Sequence, residues 1–354
     1  MGSKPKTKKK SEPRATKSLG LLPDVPMENP IKVLAIDGGG VRGIIPAMVL
    51  AEIENRTQKH IADLFDLFAG TSTGAILALG LLKPNRLGRP QYSAERLAQL
   101  YEIESPRIFH RPLLHTLHSV GGILTEKYPA DGLERVMKRY FGEVRLEEAL
   151  KEILITSYDI ERRKPYFFKK KKAIHSPEDD FSMREVIRAT CAAPTFFEPA
   201  KITRRGRLRY RALVDGCVYA TNPSLLALVE AMVTYPKTND IVVVSLGSGT
   251  HTRKLAYEDA VRWGLAQWAP SILSMMFDGG SYVVDHQMKY LLPTARDGSP
   301  RYYRFQTELK RARDEMDDTS PENIRFLKTL GKRIIKKENS NLKRLCAMLT
   351  KNSA

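Results

Sequence analysis

The sequence predicts an α/β protein, a three-layer α/β/α fold with a mostly parallel central sheet, and three observations carry that expectation. Ile31-Lys-Val-Leu-Ala-Ile36 reads as a buried strand. It runs into a glycine loop and then a helix over about residues 45–56, with Pro46 in the first turn, where a missing N–H does little harm. The same order repeats at once: a strand over 64–69, a sharp turn at Gly70–Gly74 and an apolar helix over 75–82. Strand and helix alternating in this way favour parallel strands with helices on the sheet faces. Finally, Ile241–Leu246 is a continuous apolar run of the length expected for a strand buried on both sides.

The other elements follow in chain order. Residues 83–92 are rich in Gly and Pro and read as a loop, and helices are expected over 93–101 and 130–140. Between those helices, 105–125 carries Pro, paired Gly and scattered apolar residues, which suits a mobile cover within a helical cover region near 83–140. Strands are expected over 152–157, 165–168 and 213–214, a helix over 183–190, and helix with Lys and Arg on one side over 322–349. Residues 1–29 hold few large apolar side chains and read as a disordered basic tail. Residues 30–250 then form the α/β domain, and 251–354 a helical, basic region packed on it or extending it.

With 354 residues, 42% hydrophobic and 28% charged, the chain has ample material for a core. Its longest apolar runs fall far short of the ~20 residues that a membrane-spanning helix requires. The N-terminus lacks the apolar core of a signal peptide, and Lys6 stands where a myristoylation motif needs Ser or Thr. Cys191, Cys217 and Cys346 form no CxxC pair, so neither a disulfide framework nor a zinc site is expected, and a reduced, cytoplasmic setting fits. The formal net charge of +18 favours a polyanionic partner: nucleic acid, an anionic membrane surface or a phosphorylated ligand.

Gly38-Gly-Gly-Val-Arg-Gly43 matches G-x-G-x-x-G between a strand and a helix, as a dinucleotide or phosphate site would. The carboxylate that such a site needs on the ribose has only Asp63 near the right spacing, and Asp63 precedes its strand instead of ending it. Gly70-Thr-Ser72-Thr-Gly74 is a G-x-S-x-G elbow in its required context, with the Ser72 hydroxyl raised clear of a tight turn at a helix N-terminus. A serine that merely caps a helix is the plainer reading. Attack on an ester carbonyl would create an oxyanion needing preset N–H donors, which Gly38, Gly39 and Gly40 can supply. A base is also required, and Asp215, followed by Gly216, ends a short strand. Asp-Gly is common in ordinary turns, so Asp215 gains weight only through the pairing.

Asp37-Gly-Gly-Gly-Val-Arg42-Gly43, Gly70-Thr-Ser-Thr-Gly74, Ala192-Ala-Pro-Thr-Phe196, Asp215-Gly216 with Asn222-Pro223, and Ser245-Leu-Gly-Ser-Gly249 together resemble the patatin-like phospholipases, over about residues 31–249. The resemblance implies a patatin-like fold and a Ser72-Asp215 dyad without a catalytic histidine. It implies hydrolysis of acyl esters of membrane phospholipids through an acyl-enzyme, with the oxyanion held at Gly38, Gly39 and Gly40 and no cofactor for the chemistry. Asp37, Arg42, Gly43, Gly70, Gly74 and Gly216 would support the motifs. The chain also resembles the compact bacterial members that cyclic dinucleotides activate in anti-phage defence. That implies cyclic GMP-AMP or a related nucleotide as a partner, assembly into homo-oligomers, and action at the inner membrane surface. Two positions depart from the family: Cys217 replaces a usual Gly or Ala, and Thr221 a frequent Asn.

Other readings stay open at this level. A Ser-Asp-His triad esterase would need a histidine after the acid, and His251 and His286 both qualify by order. His110, His115 and His118 cluster in the cover without the Cys or carboxylate neighbours of a metal site. A non-catalytic nucleic-acid binder would use Lys169–Lys172 beside Tyr166, Phe167 and Phe168, although those aromatics alternate too little for a stacking platform. A membrane explains both the site and the charge, with cover residues Ile108, Phe109, Leu113, Leu114 and Leu117 touching acyl chains.

Overall fold

Every residue of the first strand is apolar except Lys32, and in the computed structural model both edges of that strand are paired, which places it inside the sheet. The structure describes residues 29–110, 127–204, 206, 209–237, 240–295, 297–309 and 315–351. The expected tail, and Leu113, Leu114, Leu117, His115 and His118 of the expected cover, lie outside them. Among the described residues one sheet is formed by β1 (Ile31–Ile36), β2 (Leu67–Gly70), β3 (Glu152–Asp159), β4 (Lys164–Lys169), β5 (Ala200–Thr203), β6 (Tyr210–Asp215), β7 (Ile241–Leu246) and β8 (Tyr302–Phe305). The neighbours β3, β2, β1, β7 and β8 run parallel, while β4, β5 and β6 pair antiparallel. The mixed α/β fold with a mostly parallel sheet is thus as expected.

Side chains alternate across the strands and divide the core in two. Leu34 and Ile36 of β1, with Val242, Val244 and Leu246 of β7, face a large core. Helices α1 (Ile44–Thr57), α2 (Thr73–Leu82), α3 (Ala94–Ile108), α4 (Asp131–Phe141) and α5 (Met183–Thr190) contribute buried residues to it. Val33, Ala35, Ile241 and Val243 face the opposite side, against α6 (Ser224–Thr234) and α7 (Leu265–Leu291). These are the three layers.

The register of β3 positions the site. Strand β4 pairs with residues 154–159 along one edge of β3, so the partners of the other edge must share it. Strand β2 takes residues 152–155 and ends at Gly70 opposite Ile155. Strand β6, running the other way, takes 157–159 and ends at Asp215 opposite Ser157. Two strands therefore meet end to end on one edge, and the turn leaving β2 abuts the turn leaving β6.

Several elements differ from expectation, among them the helix expected over 93–101, which runs on to Ile108 into the expected cover. The run from Leu64 is not strand at its start: Ile61–Leu64 is a helical turn, its Ile61 N–H donating to the Glu54 carboxylate at 3.0 Å, and pairing begins at Leu67. The expected 213–214 strand extends to Tyr210–Asp215 because β5 covers its outer edge. Beyond residue 250, where only helix was foreseen, β8 completes the sheet beside β7. There α8 (Pro321–Lys337), capped by the Ser320 hydroxyl, buries Ile324, Leu327, Leu330 and Ile334 at helical spacing and packs on α1. Helix α9 (Asn339–Thr350) adds Leu342, Leu345 and Leu349 to the same core. A chain ending at residue 250 would leave β7 with an open apolar edge and uncover α1. It is expected to lose cooperative thermal unfolding, as measured by circular dichroism.

Candidate active site

The elbow after β2 is a strained turn. Ser72 has φ 53° and ψ −121°, a conformation that side-chain-bearing residues rarely adopt and that lifts its hydroxyl off the backbone. Its own N–H donates to the Thr190 hydroxyl at 2.9 Å, which ties the elbow to the end of α5. Gly74 is required by close approach, since a Cβ there would meet the Ile36 carbonyl oxygen at 2.2 Å. The Thr71 hydroxyl donates to the Ala220 carbonyl at 2.7 Å, linking the elbow to the loop after β6.

Asp215 lies across from Ser72, as the meeting of β2 and β6 dictates. The Ser72 hydroxyl faces its carboxylate and favours the charged form, and the Cys217 N–H donates to Oδ1 at 2.8 Å. Asp215 is 1% exposed and Ser72 8%. Burial pushes the Asp215 carboxyl up to about 6 against the opposing effect of the Ser72 hydroxyl and the Cys217 N–H, so the group is mostly ionised at neutral pH yet a far better base than a solvated carboxylate. Cys191 also lines the cavity beside Ser72, but burial raises its pKa, and that of Cys217, so both thiols stay protonated and neither is a competent nucleophile.

The Asp37–Gly43 loop is the third part. Gly38 was expected to offer its N–H to the oxyanion, but that N–H donates to the Thr221 carbonyl at 3.0 Å. The N–H groups of Gly39 and Gly40 have no acceptor among the described residues, and both glycines line the cavity beside Ser72. Gly40 adopts φ 59° and a Cβ on it would meet the Met316 carbonyl oxygen at 2.1 Å, so the loop requires glycine there. The N–H of Thr73, the first of α2, also lacks an acceptor among the described residues and lies at the same cavity. It follows the nucleophile as in other elbows, a donor the sequence reading overlooked.

Long-range bonds hold the loop. The Ser248 hydroxyl donates to the Gly38 carbonyl at 2.6 Å, and Arg42 Nε donates to the Gly39 carbonyl at 3.1 Å. Arg42 Nη1 donates to His251 Nε2 at 3.2 Å, leaving His251 Nδ1 to donate to Asp278 at 2.8 Å. His251 is thus engaged at both ring nitrogens away from Ser72, and His286 is exposed on α7 against Tyr290. Neither histidine lines the cavity. Asp37 is gripped in bidentate fashion by Arg304 of β8 at 2.8 and 2.6 Å, and Arg304 also bonds Ser245 and Ser281. Burial works to lower the Arg304 pKa, but the Asp37 charge and hydrogen bonds outweigh it, so the guanidinium remains protonated. No local pattern around Arg304 marked it in the sequence.

The cavity over this site is apolar. Ile76, Ile108, Phe109, Phe196, Phe197 and Phe277 line it, with Ser72 and Asp215 at its polar end. His110 is exposed, and among the described residues no group of three His, Cys, Asp or Glu side chains could hold a metal ion. Tyr166 and Phe168 are buried in the core and therefore unavailable for base stacking.

The family model for patatin-like phospholipases matches residues 34–228, which include the glycine loop, the elbow and Asp215. The chain belongs to the patatin-like phospholipase family. It is 34% identical to Patatin-T5 of Solanum tuberosum over 336 residues, covering 88% of this chain and 85% of that one. It is 32% identical over 335 residues to a Solanum tuberosum protein called probable inactive patatin-3-Kuras 1, covering 88% and 87%. Among solved structures it is similar to VipD of Legionella pneumophila, with a TM-score of 0.42 and 12% identity, over 90% of this chain and 67% of that one. As a family member it is a lipid ester hydrolase, of a class whose chemistry needs no cofactor.

Removing Arg304 while keeping its partner would strand the buried Asp37 carboxylate. Arg304→Met is expected to cost about 3–5 kcal/mol of stability, as seen when one member of a buried ion pair is deleted. Urea denaturation measures it. Asp37→Asn combined with Arg304→Met should recover part of the loss.

Proposed function

We propose that the protein is a phospholipase of the A type that cleaves the acyl esters of glycerophospholipids through a Ser72-Asp215 dyad. The observation that carries the reading is the Ser72 hydroxyl facing a buried Asp215 in an otherwise apolar cavity. Ser72 Oγ attacks the ester carbonyl carbon as its proton passes to Asp215. The carbonyl oxygen becomes an oxyanion facing the N–H groups of Gly39 and Gly40, with Thr73 N–H a further donor. Collapse breaks the bond to the glycerol oxygen, which takes the proton back from Asp215 and departs as a lysophospholipid. Water, deprotonated by Asp215, then attacks the acyl-enzyme, frees the fatty acid and restores Ser72. The apolar cavity supports a fatty acyl chain as the group transferred. The alternative Ser-Asp-His triad is disfavoured by the Arg42 and Asp278 partners of His251 and by the exposure of His286.

The finer reading is activation by a cyclic dinucleotide such as cyclic GMP-AMP, in bacterial anti-phage defence, on homo-oligomers acting at the inner membrane surface of the cytoplasm. The sequence resemblance to the compact bacterial effectors supports it, as does the excess of Lys and Arg available to phosphates.

Fatty acid release from phospholipid vesicles, with and without a panel of cyclic dinucleotides, tests both levels. Ser72→Ala and Asp215→Ala are each expected to lower kcat by about 10³-fold or more, while His251→Ala and His286→Ala retain the dyad and its activity. Dependence on one nucleotide would support the switch, and equal rates with and without every nucleotide would remove it. Because the free base must be ionised, kcat/KM is expected to fall as pH drops below about 6, tenfold per unit. A profile flat down to pH 4.5 would exclude Asp215 as the base.

A further inference from the structure

Helix α7 departs from an ordinary surface helix. Over residues 265–284 it holds one charged residue, Asp278, although one side faces solvent along its length. A surface helix ordinarily presents charged residues there. Here the outward side carries Leu265, Ile272, Met275, Met276, Tyr282 and Val283, with Leu265 91% and Tyr282 74% exposed. Together they exceed the scattered apolar residues normal for a soluble surface. At 27 residues the helix is long enough to cross a membrane but not apolar enough. Its inward side carries Phe277, which lines the cavity above Ser72.

Aromatic and basic residues border this face. Trp263 and Trp268, the two tryptophans of the chain, meet edge to face at 5.2 Å, and both are half-exposed at the start of α7. Tyr257 just upstream is 78% exposed. Arg253, Lys254 and Arg262 are exposed and have no ion-pair partner among the described residues. Indole rings favour the boundary between lipid headgroups and acyl chains, and cations nearby favour anionic headgroups.

We infer that the outer face of α7, with the Trp263–Trp268 pair, is the surface on which the protein sits on an anionic phospholipid bilayer. This rests on the lipid acyl hydrolase reading above and gives it a direction. The occupant follows from continuity and from charge: α7 is a wall of the acyl cavity through Phe277, so whatever the helix rests upon lies about one helix diameter, ~10 Å, from the cavity. An anionic bilayer there supplies both the apolar contact and the negative charge that complements the net +18 of the chain. It would also let a phospholipid move its acyl chain from the membrane to Ser72 without crossing water.

The two tryptophans make the surface its own reporter. Full-length protein carrying Ser72→Ala, which keeps vesicles intact, is mixed with vesicles of equal phosphatidylglycerol and phosphatidylcholine. Tryptophan emission and co-sedimentation are read together. Emission is expected to shift to shorter wavelength on binding, and to be quenched by lipids brominated on their acyl chains. Met275→Glu with Met276→Glu is expected to weaken binding at least tenfold, and Arg253→Glu with Lys254→Glu to weaken it and remove its dependence on phosphatidylglycerol. Melting temperatures check that each variant folds, and Ile272→Ser serves as a milder second variant at the same face. Unshifted emission on bound vesicles, or unchanged binding by the folded variants, would overturn the assignment. So would a stable dimer in solution that already shields the tryptophans and ignores vesicles, which would give this face to a second copy. Vesicle binding by the parent protein without fatty acid release from any ester would instead sink the hydrolase reading and leave the surface standing.

Discussion

The structure depends on how one strand shares an edge. Because β4 occupies one side of β3, the parallel strand β2 and the antiparallel strand β6 must divide the other, and their ends meet between Ile155 and Ser157. The backbone leaving β2 carries Ser72 and the backbone leaving β6 carries Asp215. Their juxtaposition is therefore a property of strand register, which a one-residue slip would destroy by turning the side chains to the opposite face. Residues 143 positions apart in the chain become neighbours without a flexible loop having to find its partner.

Around that junction, most polar motifs serve the glycine loop. Ser248 holds the Gly38 carbonyl, Thr221 takes the Gly38 N–H, Arg42 holds the Gly39 carbonyl and Arg304 anchors Asp37. Preset donors stabilise a developing charge more than donors that must reorganise, because the orientation cost is met on folding. Buried Asp37, Arg42 and Asp215 and partly buried Arg304 all cost free energy to dehydrate, and each is compensated by polar partners, several drawn from distant elements. The departures at Cys217 and Thr221 fit this frame. Cys217 still offers its N–H to Asp215, and Thr221 serves the loop through its backbone carbonyl, which any residue possesses.

An apolar cavity with a polar end and an apolar outer helix face belong to one design problem. An enzyme acting on a lipid ester must keep its own acyl site dry while presenting a surface that tolerates lipid. Helix α7 carries both, Phe277 inward and Ile272, Met275 and Met276 outward. Asp278, the charge interrupting it, is turned to His251 and thereby to Arg42 and the glycine loop.

The sequence by itself determined the layer architecture and the three chemical segments. Strand, glycine loop and helix repeat locally, and the G-x-S-x-G turn is a short-range constraint set by steric contacts among neighbours. What it left undecided were contacts between segments far apart in the chain. The loss of Gly38 as a free donor, the grip of Arg304 on Asp37 and the engagement of His251 by Arg42 arise from pairing across more than 150 residues, and the entry of β8 into the sheet from pairing with β7, from which α7 separates it in the chain. Local composition carries no record of such pairing, because an exposed and a buried arginine read alike until the fold supplies the carboxylate opposite. Only the tertiary structure decided which N–H groups, charges and apolar faces were left without a partner, since that is a property of the whole packed chain and not of any motif within it.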